Sequence, residues 1–237
     1  MSKLFTASQI RAWDAFTIEH EPIESADLME RAAKACVSWM IQKWPDTDTG
    51  FAIFCGNGNN GGDGIAIARL LLESAYRVRV YLSEGAQRSP DNQAMLNELK
   101  FLYDPCIVYI NECPDIHPDC ILVDALFGTG LNRKPDGLQE ELISFFNDCN
   151  NTKVSIDIPS GLPADSQQPF GEVIRADYTI TFQQYKPSFL FPETGKFCGE
   201  VKVLDIGLHS EFESKESSIS FIIDMDMVRS IYKKRNA

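Results

Sequence analysis

The chain has 237 residues, of which 44% are hydrophobic and 24% charged, with a formal net charge of −12. Such a length buries a real core and the composition excludes a wholly disordered chain, while the acidic balance excludes a generic grip on nucleic acid or anionic lipid, which needs a basic surface. No apolar run approaches the ~20 residues of a membrane span, and the opening MSKLFTASQIRAWDAF lacks an unbroken apolar stretch and a small-residue cleavage site, so neither a membrane segment nor a signal peptide is expected.

Ser8 to His20 reads as a helix with an irregular apolar stripe of Ile10, Trp13, Ala15 and Phe16. A second helix, capped by Ser25, carries Met29, Ala32, Ala33, Cys36, Val37, Met40 and Ile41 at helical spacing until Pro45. The rhythm then changes: Phe51–Cys55 is a short apolar run, as expected of a strand buried on both faces. A Gly- and Asn-rich stretch follows, and a helix beginning near Asp63. Val78–Leu82 reads as a strand, Pro90–Phe101 as a helix, Ile107–Ile110 and Cys120–Val123 as strands. Leu138–Cys149 reads as a helix, and Lys153–Asp157, Tyr178–Phe182 and Val201–Leu204 as strands. His209–Ser218 reads as a polar loop, Ile219–Ile223 as one more strand, and Asp226–Lys234 as a short helix with a basic end. Strands alternating with helices predict a Rossmann-like three-layer α/β/α sandwich with a mostly parallel central sheet, preceded by two N-terminal helices.

The seven cysteines are odd in number, scattered and without a C-x-x-C pair. They indicate reduced thiols and a cytoplasmic location, with neither a disulfide framework nor a zinc site. His20, His117 and His209 form no metal-binding pair and read as surface or packing residues.

Open parallel sheets place ligands at the carboxyl ends of their strands. Three such ends are Gly-rich: Gly56–Gly64 (GNGNNGGDG), Val123–Gly130 (VDALFGTG) and Ile156–Leu162 (IDIPSGL). The first contains a G-x-G-x-x-G at Gly56, Gly58 and Gly61, with Glu84 where a dehydrogenase would keep its ribose-binding acid. Glycines there let backbone N–H groups approach a phosphate at a helix start. Asn59, Asn60 and Asp63 crowd that turn, and Asp124 and Asp157 bring carboxylates to the same edge, which spoils the dehydrogenase pattern. No Gly-Lys-Ser/Thr follows, so a Walker A loop is excluded. A tight turn explains any one of these loops; three together point to a site.

The combination GNGNNGGDG, DALFGTGLNR and DIPSGLPAD, with Lys186-Pro-Ser beyond the strand at 178–182, is similar to the NAD(P)H-hydrate epimerases, the YjeF N-terminal domain family. The likeness extends from the N-terminal helices to the strand at Val201–Leu204. It implies a substrate, NADH or NADPH hydrated at C6 of the nicotinamide ring, whose R and S forms are interconverted so that a companion ADP- or ATP-dependent dehydratase, fused or separate, can restore the nucleotide. It maps the nucleotide hydrate onto Asn59, Asn60, Gly61, Gly62 and Asp63, onto Gly128, Thr129, Gly130, Leu131, Asn132, Arg133 and Lys134, and onto Asp157. It places one potassium ion per subunit at Asn60, Asp124 and Ser160, and implies a homodimer.

The chemistry needs an acid–base group and anionic surroundings for a transient ring cation. Asp157 is the acid–base candidate. Asp124 is a second catalytic candidate, assigned chiefly to the cation, as oxygen ligands suit a hard monovalent ion. Lys186 is a further catalytic candidate, with phosphate or surface pairing as its other reading. Asp63 is read either as a ligand or as a helix cap. Thr129, Asn132 and Arg133 suit contact with phosphate or ribose. Competing readings are an inactive nucleotide- or RNA-binding module of the same fold and an NAD-dependent dehydrogenase. The expected domains are 1–225, the epimerase unit, and 226–237, a linker helix leading toward a dehydratase.

Overall fold

The chain opens with β1 (Ser2–Leu4), α1 (Ala7–His20) and α2 (Ser25–Lys43). The computed structural model describes residues 2–83, 87–223, 228–229 and 231–232. Thr6 starts α1 through a capping box: its Oγ1 accepts from the Gln9 N–H at 3.3 Å, and its own N–H donates to the Gln9 side-chain Oε1 at 3.1 Å. Ser25 does not cap α2 as expected. It is the first helical residue, and its hydroxyl donates instead to Asp91 Oδ2 at 2.7 Å.

β2 (Gly50–Cys55), β3 (Arg77–Ser83), β4 (Ile107–Ile110), β5 (Ile121–Ala125), β6 (Lys153–Ile156), β7 (Tyr178–Phe182) and β8 (Glu200–Leu204) form a seven-stranded sheet in the order β4-β3-β2-β5-β6-β7-β8. Every neighbouring pair is parallel. The alternation of β2 shows why its whole run is apolar. Phe51, Ile53 and Cys55 pack into a core with α2, α3 (Asn59–Glu73) and α4 (Pro90–Tyr103), while Ala52 and Phe54 pack on the other face against Leu142, Ile143 and Phe146 of α5 (Leu138–Asp148). The chain leaves β2 toward β3 and β4 on one side, then returns to β5 on the other. The reversal opens a crevice between the carboxyl ends of β2 and β5.

α3 begins at Asn59, four residues before the expected start, so Asp63 lies inside the helix and does not cap it. Poor helix formers open it because its first turn is pressed against its neighbours. A Cβ on Gly61 would lie 2.8 Å from Asn92 Nδ2, and one on Gly62 2.8 Å from Met29 Sδ. Close approach, not turn geometry, selects glycine there.

After α6 (Pro192–Gly195) and β8, the stretch expected as a loop contains a short helix, α7 (Ser210–Lys215), opened by His209, whose Nδ1 accepts from the Glu211 N–H. The last expected strand is present as β9 (Ser220–Ile222), but it pairs antiparallel with β1 apart from the main sheet. Glu84 lies outside the described residues, as does most of the expected helix at 226–234. All seven cysteines are free thiols.

Candidate active site

Loops after β2, β5, β6 and β7 converge with α1 and the start of α2 on a cavity of about 690 Å³. Its walls include Asn57–Asn60 and Asp63, the whole of 126–136, Asp157, Gln183 and Lys186, with Ile10, Asp14, Leu28 and Leu208 contributed by the N-terminal helices and the segment after β8.

Asp157 leaves β6 with φ +65, the left-handed conformation that aspartate tolerates better than most residues. The turn is fixed by its N–H, which donates to the Ile180 carbonyl at 2.7 Å. The carboxylate is gripped at both oxygens: Lys186 Nζ is 3.1 Å from Oδ1, and the Thr129 N–H donates to Oδ2 at 2.9 Å. Lys186 is only 1% exposed, and its ammonium also donates to the Phe182 carbonyl at 3.2 Å. A buried lysine is tolerated when such a partner neutralises it. Gly128 makes the Thr129 contact possible, since a Cβ there would stand 2.8 Å from Asp157 Oδ2 and 3.2 Å from Asn60 Cβ.

Asp124 has a different place. It is fully buried beneath the cavity and does not line it. Ser155 Oγ (2.8 Å) and the Ser160 N–H (2.9 Å) donate to Oδ2, and Ser160 Oγ (2.5 Å) and the Leu126 N–H (3.2 Å) to Oδ1. Burial pushes its carboxyl above the usual range, against the pull of those four bonds. Ser160 Oγ in turn accepts from the Phe127 N–H at 3.0 Å, so the two residues lock the loops after β5 and β6 together.

Among the expected nucleotide contacts, Asn59, Asn60, Asp63 and every residue from Gly128 to Lys134 line the cavity, whereas Gly61 and Gly62 are packed away from it. Lys134 pairs with Glu140 at 2.6 Å. The α3 N-terminus opens at this wall, and its first N–H groups suit an anion such as phosphate. Asn57 Oδ1, both amide atoms of Asn60 and Gln139 Oε1 are buried without a hydrogen-bond partner among the described residues. Buried polar groups are normally paired. Those on this wall therefore have capacity for a ligand.

The potassium set fits on chemistry: Asn60, Asp124 and Ser160 can each offer a side-chain oxygen, and Asn60 Oδ1 is buried with no partner among the described residues. Asp124 already accepts four hydrogen bonds, so a direct bond to an ion would displace or share one.

Asp14 was not expected in the site. It sits between Ile10 and Ile18, at four-residue spacing, in the stripe that faces the cavity. A carboxyl inside an apolar stripe is the signal that would have found it. Burial raises its pKa to about 6, opposed by Lys186 and reinforced by Asp157. Asp63 is raised well above the usual range, mainly by burial and then by Asp157, Asp14 and Asp91.

A family model described as "YjeF-related protein N-terminus" matches residues 25–188. A protein of Weissella koreensis named "NAD(P)H-hydrate epimerase" is 35% identical over 90% of this chain and 95% of its own. A Coxiella burnetii protein named "Bifunctional NAD(P)H-hydrate repair enzyme Nnr" is 31% identical over 90% of this chain but only 43% of its own. A crystal structure of yeast ynu0 superposes with a TM-score of 0.69 at 22% identity, covering 86% of this chain and 88% of that one, a likeness of fold.

Proposed function

The chain belongs to the YjeF-related N-terminal family, and from that premise we propose that it is an isomerase that epimerises the R and S hydrates of NADH and NADPH at C6 of the nicotinamide ring. The observation that carries the reading is the Lys186–Asp157 pair in a cavity where Asn57 Oδ1 and both amide atoms of Asn60 lack partners among the described residues. Loss of the C6 hydroxyl leaves a cation shared with the ring nitrogen, and water returning to the other face inverts the centre. Asp157 is the acid–base residue: fixed by Lys186 and Thr129, its carboxylate takes the proton of the returning water. The Asp157 carboxylate favours the transient cation electrostatically. The α3 N-terminus, Arg133 and Lys134 receive the pyrophosphate.

Asn60, Asp124 and Ser160 would hold a potassium ion, which would supply fixed positive charge beside the nucleotide. A homodimer in the cytoplasm, working with a fused or separate ADP- or ATP-dependent dehydratase, completes the reading; the bifunctional relatives support the fused arrangement.

The test is to mix the protein with epimer-enriched hydrate and follow both epimers by chromatography, subtracting the slow uncatalysed rate. Asp157→Asn is expected to lose about 10²- to 10⁴-fold in rate, the range of general acid–base catalysis. No rate above background in the wild-type protein would overturn the function. Near-wild-type epimerisation by folded Asp157→Asn would overturn the role of Asp157. For the ion, potassium chloride is expected to raise the melting temperature above that in choline chloride of equal ionic strength, and Asn60→Leu to abolish the difference.

A further inference from the structure

The site contains an acid that the mechanism above does not use. Asp14 is on α1, inside an apolar stripe, and lines the cavity that holds Asp157 and Lys186. It makes no hydrogen bond or ion pair with any described residue, whereas both oxygens of Asp157 are occupied by donors. A carboxyl in such surroundings costs stability, so its place in the cavity asks for a chemical reason. Inverting a centre by loss and return of water requires a proton to be delivered on one side of the ring and removed on the other. Asp157 is arranged to remove one.

We propose that Asp14 is the second catalytic residue of the epimerisation, the proton donor to the departing C6 hydroxyl, working against Asp157 as acceptor. The inference rests on the epimerase reading. In one direction Asp14 protonates the hydroxyl, the C6–O bond breaks with its electron pair on oxygen, and water leaves as the ring nitrogen lone pair closes the N1–C6 double bond. Water then adds through an oxygen lone pair to the opposite face of C6. The double-bond electrons return to nitrogen, and the surplus proton passes to Asp157. The net change is inversion at C6 and one proton moved from Asp14 to Asp157, which is the charge state from which the reverse reaction starts. Solvent resets the pair for a second turnover in the same direction.

The ionisable groups that share the cavity with Asp14 are Arg11 on its own helix, Asp63 on α3, Arg133, Lys134 and Asp136 after β5, Asp157 after β6 and Lys186 after β7. With its pKa at about 6, Asp14 is protonated below that value, so the donor is present at lower pH and lost as pH rises through about 6.

The experiment is the pH profile of kcat/KM for the wild-type protein, Asp14→Asn and Asp14→Glu, with background subtracted. Expected for Asp14→Asn are a loss of at least about 10²-fold in kcat, little change in KM, and disappearance of the high-pH limb near 6. Asp14→Glu, which keeps a carboxyl, restores part of the rate and a limb. Asp14→Asn within about threefold of wild type with the limb intact overturns the proposal, as does a folded Asp14→Glu whose profile has no limb. If the wild-type protein does not epimerise at all, the fault lies in the functional reading; if it does and these variants behave otherwise, the fault lies with Asp14.

Discussion

The Lys186–Asp157 pair sets the energetics of the site at the scale of single residues. Asp157→Asn keeps the shape and the Thr129 contact but leaves a 1% exposed ammonium without its counter-charge. Breaking a buried pair from one side costs about 3–5 kcal/mol, so that variant is expected to melt well below wild type. Replacing both partners, as Asp157→Asn with Lys186→Met, is expected to recover most of the loss while leaving epimerisation abolished. Thermal unfolding of the two singles and the double checks it, and a loss in the double equal to the sum of the two singles would show that the pair is not coupled. Asp14 makes the opposite contribution. Its carboxyl is raised from 3.8 to about 6 by folding, so its stabilising effect is complete below about pH 4 and disappears as the pH rises to about 6. Asp14→Asn is expected to flatten that slope and to raise stability at pH 7, which denaturant titration across pH 4 to 7 reads directly.

At the scale of elements, α4 supports the glycine loop that forms one wall. Asn92 is fully buried, and its Nδ2 donates to the Gly56 carbonyl at 3.0 Å and the Gly58 carbonyl at 2.7 Å, while Arg88 Nη1 donates to its Oδ1 at 3.0 Å. Asn92→Ala is expected to cost about 1–3 kcal/mol, the usual penalty for stranding buried hydrogen-bond partners, and to raise KM more than it lowers kcat. Steady-state kinetics with denaturant melts separate those effects. The strands and long helices were legible because period and length agree, β2 and β7 most plainly. The start of α3 was not, since glycine and asparagine argue locally for a loop and only packing against Asn92 and Met29 makes the turn helical. α7 and β1 are too short for a period to show. Asp124 and Asp157 were visible as acids at strand ends, whereas Lys186 came from family likeness and Asp14 was hidden within a stripe that reads as core.

At the scale of the whole fold, the main sheet supplies the strand-end loops and the paired strands β1 and β9 hold α1 across them. β1 and β9 pair with Ser2 opposite Ile222, and Lys3 Nζ donates to the carbonyls of Glu213 at 2.5 Å and Glu216 at 2.8 Å. Asp165 reinforces the clasp, accepting from the Ala7 N–H at the start of α1 at 3.0 Å. An antiparallel pair in that register is a hairpin lacking only its turn. Residues 2 to 223 thus begin and end side by side, and their order of reading is a convention that this part of the fold does not need. A circular permutant that joins Ile223 to Ser2 by a short Gly-containing turn, and is cut open between the exposed Gln167 and Gln168, is expected to fold and to turn over substrate at close to the parent rate.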